Sequence, residues 1–166
     1  MTNLYKKSTS IILGAILFGA VFTTTNMSSA FADEFCNGLA VTLSGTSGDD
    51  FLFLTAGDDV VAAGDGDDFI LIDVDGGNDT ICAGKGNDIV VAGSGDDTIL
   101  AGQGNDIVAA GNGNNIVQGG LGSDALIAGT GDDTITGGRG NDDIFGGGGT
   151  DICDLGLDQT TGVAVC

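Results

Sequence analysis

The sequence predicts an all-β solenoid of short parallel strands, and three spacings carry that prediction. Asp recurs every nine residues, a large aliphatic residue follows it by two places, and Gly precedes it by two. Asp50, Asp59 and Asp68 are nine apart, and Asp79 follows after eleven. Asp88, Asp97, Asp106, Asn115, Asp124, Asp133, Asp142 and Asp151 then resume at nine. That makes twelve units with one two-residue insertion, in the stretch Ile72 to Gly77. The aliphatic positions are Leu52, Val61, Ile70, Ile81, Val90, Ile99, Val108, Val117, Leu126, Ile135 and Ile144, with Cys153 in the last unit. The Gly holds from Gly48 in the first unit to Gly149 in the last.

Each unit divides into a turn and a strand. Six residues such as Ala83 to Asp88 suit a turn, because Gly permits left-handed backbone angles and close chain approach. Three residues such as Ile89 to Val91 suit a short strand whose middle side chain points to the opposite side from its neighbours. One unit cannot bury that middle residue alone. Two units per coil, stacked coil on coil, enclose a thin aliphatic core between two facing short-stranded parallel sheets.

The 166-residue chain is long enough for one domain. Ahead of the repeats lies a targeting pattern. Lys6 and Lys7 form a basic start, Ile11 to Phe22 is an apolar run too short for a membrane span, and Ala30-Phe31-Ala32 is a small-x-small cleavage pattern. The expectation is a signal peptide over 1–32, cut after Ala32, and a secreted protein, extracellular or attached to the cell envelope, with no membrane span left. The alternative is an uncleaved anchor. Residues 33–44 then read as an N-terminal cap, 45–154 as the solenoid and 155–166 as a C-terminal cap.

The chain carries 24 acids against 4 bases, and Lys6 and Lys7 lie ahead of the cut. From Asp33 onward 24 acids face only Lys85 and Arg139, a formal charge of −22. A compact state with that charge repels itself unless cations bind. Nucleic acid is not an expected partner, since no basic patch could neutralise phosphates. Every acid but Glu34 is Asp, a short carboxylate that tolerates turns and can reach a cation held against the main chain. A disordered acidic linker would not keep its aliphatic residues in phase. A solenoid stable without metal, whose Asp residues only protect its edges, stays open.

The pattern Gly-Gly-x-Gly-x-Asp-x-(aliphatic)-x resembles the repeats-in-toxin, or haemolysin-type, calcium-binding repeat. Gly119 to Ile127 and Gly137 to Phe145 are the fullest copies; elsewhere the first Gly is often Ala, as at Ala83, Ala92, Ala101, Ala110 and Ala128. The resemblance covers Gly45 to about Asp154. It implies a right-handed parallel β-roll with several calcium ions between stacked turns, held by repeat carboxylates and turn carbonyls. Carried onto this chain, Asp50, Asp68, Asp88, Asp106, Asp124 and Asp142 stack along one edge. Asp59, Asp79, Asp97, Asn115, Asp133 and Asp151 stack along the other, and neighbours share an ion. Hard oxygen ligands suit calcium, and the lack of His disfavours a transition metal. About ten ions would offset most of the charge. Asn115 lacks a carboxylate, so its two sites are expected to be weaker. The insertion is expected to disturb the sites it borders, with Asp73 and Asp75 as replacement ligands.

Cys36, Cys82, Cys153 and Cys166 form an even set, which in a secreted chain reads as two disulfides with three possible connectivities. Cys36 with Cys82 and Cys153 with Cys166 is the expected pairing, since it ties each terminal segment to the solenoid. Compact secreted members of the resembled family lend some support. Outer strand positions of alternate units are apolar: Phe51, Phe53, Phe69, Leu71, Ile89, Val91, Ile107 and Ile127. The other set is mixed, with Thr80, Thr98, Gln118, Thr134 and Thr136. An apolar outer face of that size is either a docking, adhesion or self-association surface, or is covered by residues 33–44 or the tail after Leu155.

No enzyme is expected. The chain has no His for acid–base work, no Gly-x-Ser-x-Gly elbow and no phosphate loop. The only Glu lies outside the repeats, so an EF-hand is excluded. Ice binding would need a regular outward row, whereas the residue between the turn glycines varies from Lys85 to Leu121 to Arg139.

Overall fold

A computed structural model describes residues 35–71 and 76–166. The targeting segment, Asp33, Glu34, Asp73 and Asp75 lie outside the described residues. All regular structure among the described residues is β. An N-terminal hairpin pairs β1 (Phe35–Cys36) antiparallel with β2 (Leu39–Ala40). Two parallel sheets of seven strands follow, and the chain alternates between them. One contains β3 (Leu43–Ser44), β5 (Val60–Asp65), β7 (Thr80–Lys85), β9 (Thr98–Gln103), β11 (Ile116–Leu121), β13 (Thr134–Arg139) and β15 (Ile152–Leu157). The other contains β4 (Phe51–Phe53), β6 (Phe69–Leu71), β8 (Ile89–Val91), β10 (Ile107–Asn112), β12 (Ala125–Thr130), β14 (Asp143–Gly148) and β16 (Val163–Val165). The chain is therefore a parallel β-solenoid of about seven turns.

Stacking is in phase. Val108 lies beside Val90 and Leu126, and Ile99 beside Ile81 and Val117. The middle aliphatic residues point between the sheets, where Ile70, Ile81, Val90, Ile99, Val108, Leu126, Ile135 and Ile144 are wholly buried. A second layer of small residues fills the core beside them: Ala63, Ala83, Ala92, Ala101, Ala110 and Ala128.

Many strands are longer than the expected three residues. From β9 to β15 each runs for six. Successive turns share one conformation, so the ladder continues through the Gly-x pair, as at Gly120↔Gly102 and Leu121↔Gln103. Two glycines make that turn possible. Gly102 and Gly104 hold φ of +118° and +139°, angles that side-chain-bearing residues rarely adopt. A Cβ on either would also collide with the backbone of the turn below, at the Gly84 and Gly86 carbonyls.

Both disulfides have the expected pairing, Cys36–Cys82 and Cys153–Cys166, with Cα separations of 5.8 and 6.3 Å. The first seats the hairpin against β5 and β7, which explains why the outward residues Ala62 and Thr80 are buried. The apolar outer face belongs to the other sheet. Neither described terminal segment lies across it: the hairpin packs on the opposite sheet, and the tail joins the stack as β16, an added edge strand beside β14. Phe51, Phe53, Ile89, Ile107 and Ile127 are exposed, while Phe69, Leu71 and Val91 are half-buried. Phe51 stacks on Phe69 at a ring separation of 4.8 Å, as their parallel register requires.

Candidate metal centre

The repeat Asp ends each turn, at the corner where the chain enters a strand. Stacking places these corners one above another along the two edges. In the first row the backbone N–H of Asp50 donates to Oδ1 of Asp68 at 2.9 Å. The same bond links Asp68 to Asp88, Asp88 to Asp106, Asp106 to Asp124 and Asp124 to Asp142, at 2.8 to 2.9 Å. The second row runs from Asp59 through Asp79, Asp97, Asn115 and Asp133 to Asp151. All twelve repeat positions thus fall into the two rows expected of them.

One carboxylate oxygen is satisfied in this way and the other is not. Nine row residues are buried: Asp68, Asp79, Asp88, Asp97, Asp106, Asn115, Asp124, Asp133 and Asp142. In seven of them, Asp68, Asp79, Asp88, Asp97, Asp106, Asp124 and Asp133, Oδ2 has no hydrogen-bond donor. An ionised oxygen in that position is costly unless a cation or proton meets it. Burial pushes these carboxyls up, and neighbouring carboxylates reinforce the shift at several of them. Asp68, Asp79, Asp97 and Asp124 rise to about 6 and Asp88 to about 7, while Asp106 and Asp133 are also raised.

Carbonyl oxygens crowd the same place. A Cβ on Gly119 would meet both Asp124 Oδ2, at 2.5 Å, and the Gly137 carbonyl oxygen, at 2.6 Å. On Gly45 it would meet Asp50 Oδ2 and the Ala63 carbonyl. In each case a carboxylate oxygen and the carbonyl thirteen residues later lie beside the first residue of the turn, and at Asp124 that carboxylate oxygen has no donor. Such a set of hard oxygens fits a cation of the calcium type. Among the described residues no three Asp, Glu, His or Cys side chains converge on one point, so backbone carbonyls must complete any site.

The ends of the rows differ. Asp50 Oδ2 accepts from the Thr46 N–H and hydroxyl, and Asp59 Oδ2 from those of Thr55, at 2.6 to 2.9 Å. At the far end, Asp142 Oδ2 accepts from Gln159 Nε2 at 2.7 Å.

A second ladder was not anticipated from the sequence. The residue before each repeat Asp sits on the outside of the turn, and its side chain accepts from the N–H one coil later. Asp49 serves Asp67, Asp67 serves Asn87 and Asn87 serves Asn105, at 2.7 to 2.9 Å. The other edge repeats this from Asp58 through Asn78, Asp96, Asn114 and Asp132 to Thr150. The available signal was that this place holds only Asp, Asn, Ser or Thr, from Asp49 to Thr150.

Fold and site together define a parallel β-solenoid whose edges are rows of buried carboxylates. A family model of the RTX calcium-binding nonapeptide repeat matches residues 42–70, 71–90, 83–117 and 118–153, well over half of the chain. The chain belongs to that repeat family. Comparison with curated proteins and with solved structures finds no match.

Proposed function

We propose that this is a secreted calcium-binding protein whose β-roll is completed by ions bound between stacked turns. The seven buried Oδ2 atoms without a donor are the observation that carries this reading. Asp50, Asp68, Asp88, Asp106, Asp124 and Asp142 would supply carboxylates on one edge. Asp59, Asp79, Asp97, Asp133 and Asp151 would do so on the other, with turn carbonyls completing each site. The bound cation supplies positive charge where like charges face one another, and binding energy then counts as folding energy. Extracellular calcium modules work at about 10⁻⁴ to 10⁻³ M, so the chain would stay loose inside a cell and lock outside it. Export fits the 1–32 signal pattern with cleavage after Ala32, and repeats of this family are typical of secreted proteins. We assign no catalytic role. Equilibrium dialysis of the chain from Asp33 to Cys166 should show several calcium ions bound per chain at millimolar calcium. No bound calcium would refute the proposal.

A second reading, assembly or adhesion, is favoured by one observation: Phe51 and Phe53 remain 57% and 61% exposed beside a continuous aliphatic stripe. Sedimentation velocity with calcium tests self-association, and a monomer at all concentrations would remove it.

A further inference from the structure

Of the nine buried row residues, only Asn115 and Asp142 lack an orphan oxygen, and an amide nitrogen serves both. At Asn115 the side-chain Oδ1 keeps the row intact by accepting from the Asp97 N–H at 3.0 Å. Its Nδ2 replaces the Oδ2 of an Asp, and it donates to the carbonyls of Gly113 and Ala128 at 3.2 and 3.5 Å. Ala128 is thirteen residues beyond Asn115, the same offset as Gly137 from Asp124.

Gln159 repeats this chemistry at the end of the other row. Its Oε1 accepts from the Asp142 N–H at 2.9 Å, as the next Asp would. Its Nε2 donates to Asp142 Oδ2 and to the Leu155 carbonyl, both at 2.7 Å. Leu155 is thirteen residues beyond Asp142. A nitrogen with two protons therefore joins a carboxylate oxygen to the carbonyl thirteen residues later, where the equivalent carboxylate oxygen of Asp124 has no donor. Amide protons carry partial positive charge and satisfy oxygens without an ion.

We infer that Asn115 and Gln159 are built-in substitutes for the cation: Asn115 breaks the ion row of its edge, and Gln159 closes the other. This rests on the calcium reading above, and it replaces weak sites at Asn115 with a position that takes no ion of its own. The interruption falls beyond the middle of its row, between Asp97 and Asp133, and neutralises one buried charge without metal.

The test is the number of calcium ions bound per chain, counted by native mass spectrometry with equilibrium dialysis. N115D should bind one ion more than the parent, Q159E one more, and the double variant two more. In chelator, N115D should melt lower than the parent and recover when calcium is added. A parent that binds calcium, with N115D and Q159E binding no more than it does, overturns this inference alone. A variant N115D that stays unfolded at saturating calcium also counts against it, and Q159E, at the half-buried end of its row, supplies the count independently. A parent that binds no calcium overturns the calcium reading and this inference with it.

Discussion

The interior turns and the end turns of this solenoid have the same sequence pattern but opposite electrostatics. In the interior, Asp88, Asp97 and Asp106 bury a carboxylate oxygen that no donor meets. At the N-terminal end, Asp50 and Asp59 are half-buried and find donors in Thr46 and Thr55. At the C-terminal end Gln159 does the same for Asp142. Three of the four row ends are thus self-sufficient and the interior is not. Stacking creates the demand for a cation or a proton, because a turn loses its water only when covered on both sides.

Four experiments sharpen or break that contrast. The largest effect is expected from pH. The interior carboxyls lie at about 6 to 7 in the folded chain against 3.8 ordinarily. The folded state therefore holds protons that the unfolded state has released. The protonated interior favours folding fully below about pH 4, and this contribution is lost as pH rises through 6 to 7. In chelator, the melting temperature should rise as pH falls from 8 to 5. With calcium, where protons compete with the ion, acidification should instead weaken binding. A chelated protein insensitive to pH over this window would remove the charge argument.

The core comes next. Ile99 is wholly buried, so Ile99→Ala should cost about 2 to 5 kcal/mol in denaturant unfolding. Ile152, 67% exposed near the end of the stack, should lose under about 0.5 kcal/mol on the same change. Equal losses would mean that the sheets do not face each other as described.

Glycine in the turns gives a smaller, sharper contrast. Gly104→Ala places a Cβ at positive φ against the Gly86 carbonyl and should cost at least about 1 to 2 kcal/mol. Gly148 has open space around it, and Gly148→Ala should be near neutral. The smallest effect belongs to the end cap. Thr55→Val removes the hydroxyl donated to Asp59 but keeps the backbone bond, and should cost about 1 kcal/mol in thermal unfolding.

Much of this was legible in the sequence, because a solenoid writes its fold as a period. Phase alone identified the core from Leu52 to Ile144, and the family resemblance implied the two carboxylate rows. The disulfide pairing followed from the need to hold each terminal segment. What the period did not show was atomic direction. The outer ladder through Asp49, Asp67 and Asn87 pairs residues a whole coil apart. It emerges only once the turn orientation is known. The frequent Ala at the first turn position looked like a loose Gly. In the structure it is a buried core residue: Ala83, Ala92, Ala101, Ala110 and Ala128 form a layer beside the larger aliphatic residues. Gln159 was invisible for a further reason. It lies outside the repeats and reaches Asp142 only because the tail folds back as β16.

The most direct test of the central claim is circular dichroism of the chain from Asp33 to Cys166 at pH 8, titrated with calcium and separately with magnesium. Cooperative growth of β signal with calcium, reversed by chelator and not reproduced by magnesium, is the predicted result. A β signal already complete in chelator would contradict it, leaving the solenoid in place with carboxylate rows that need no ion to fold.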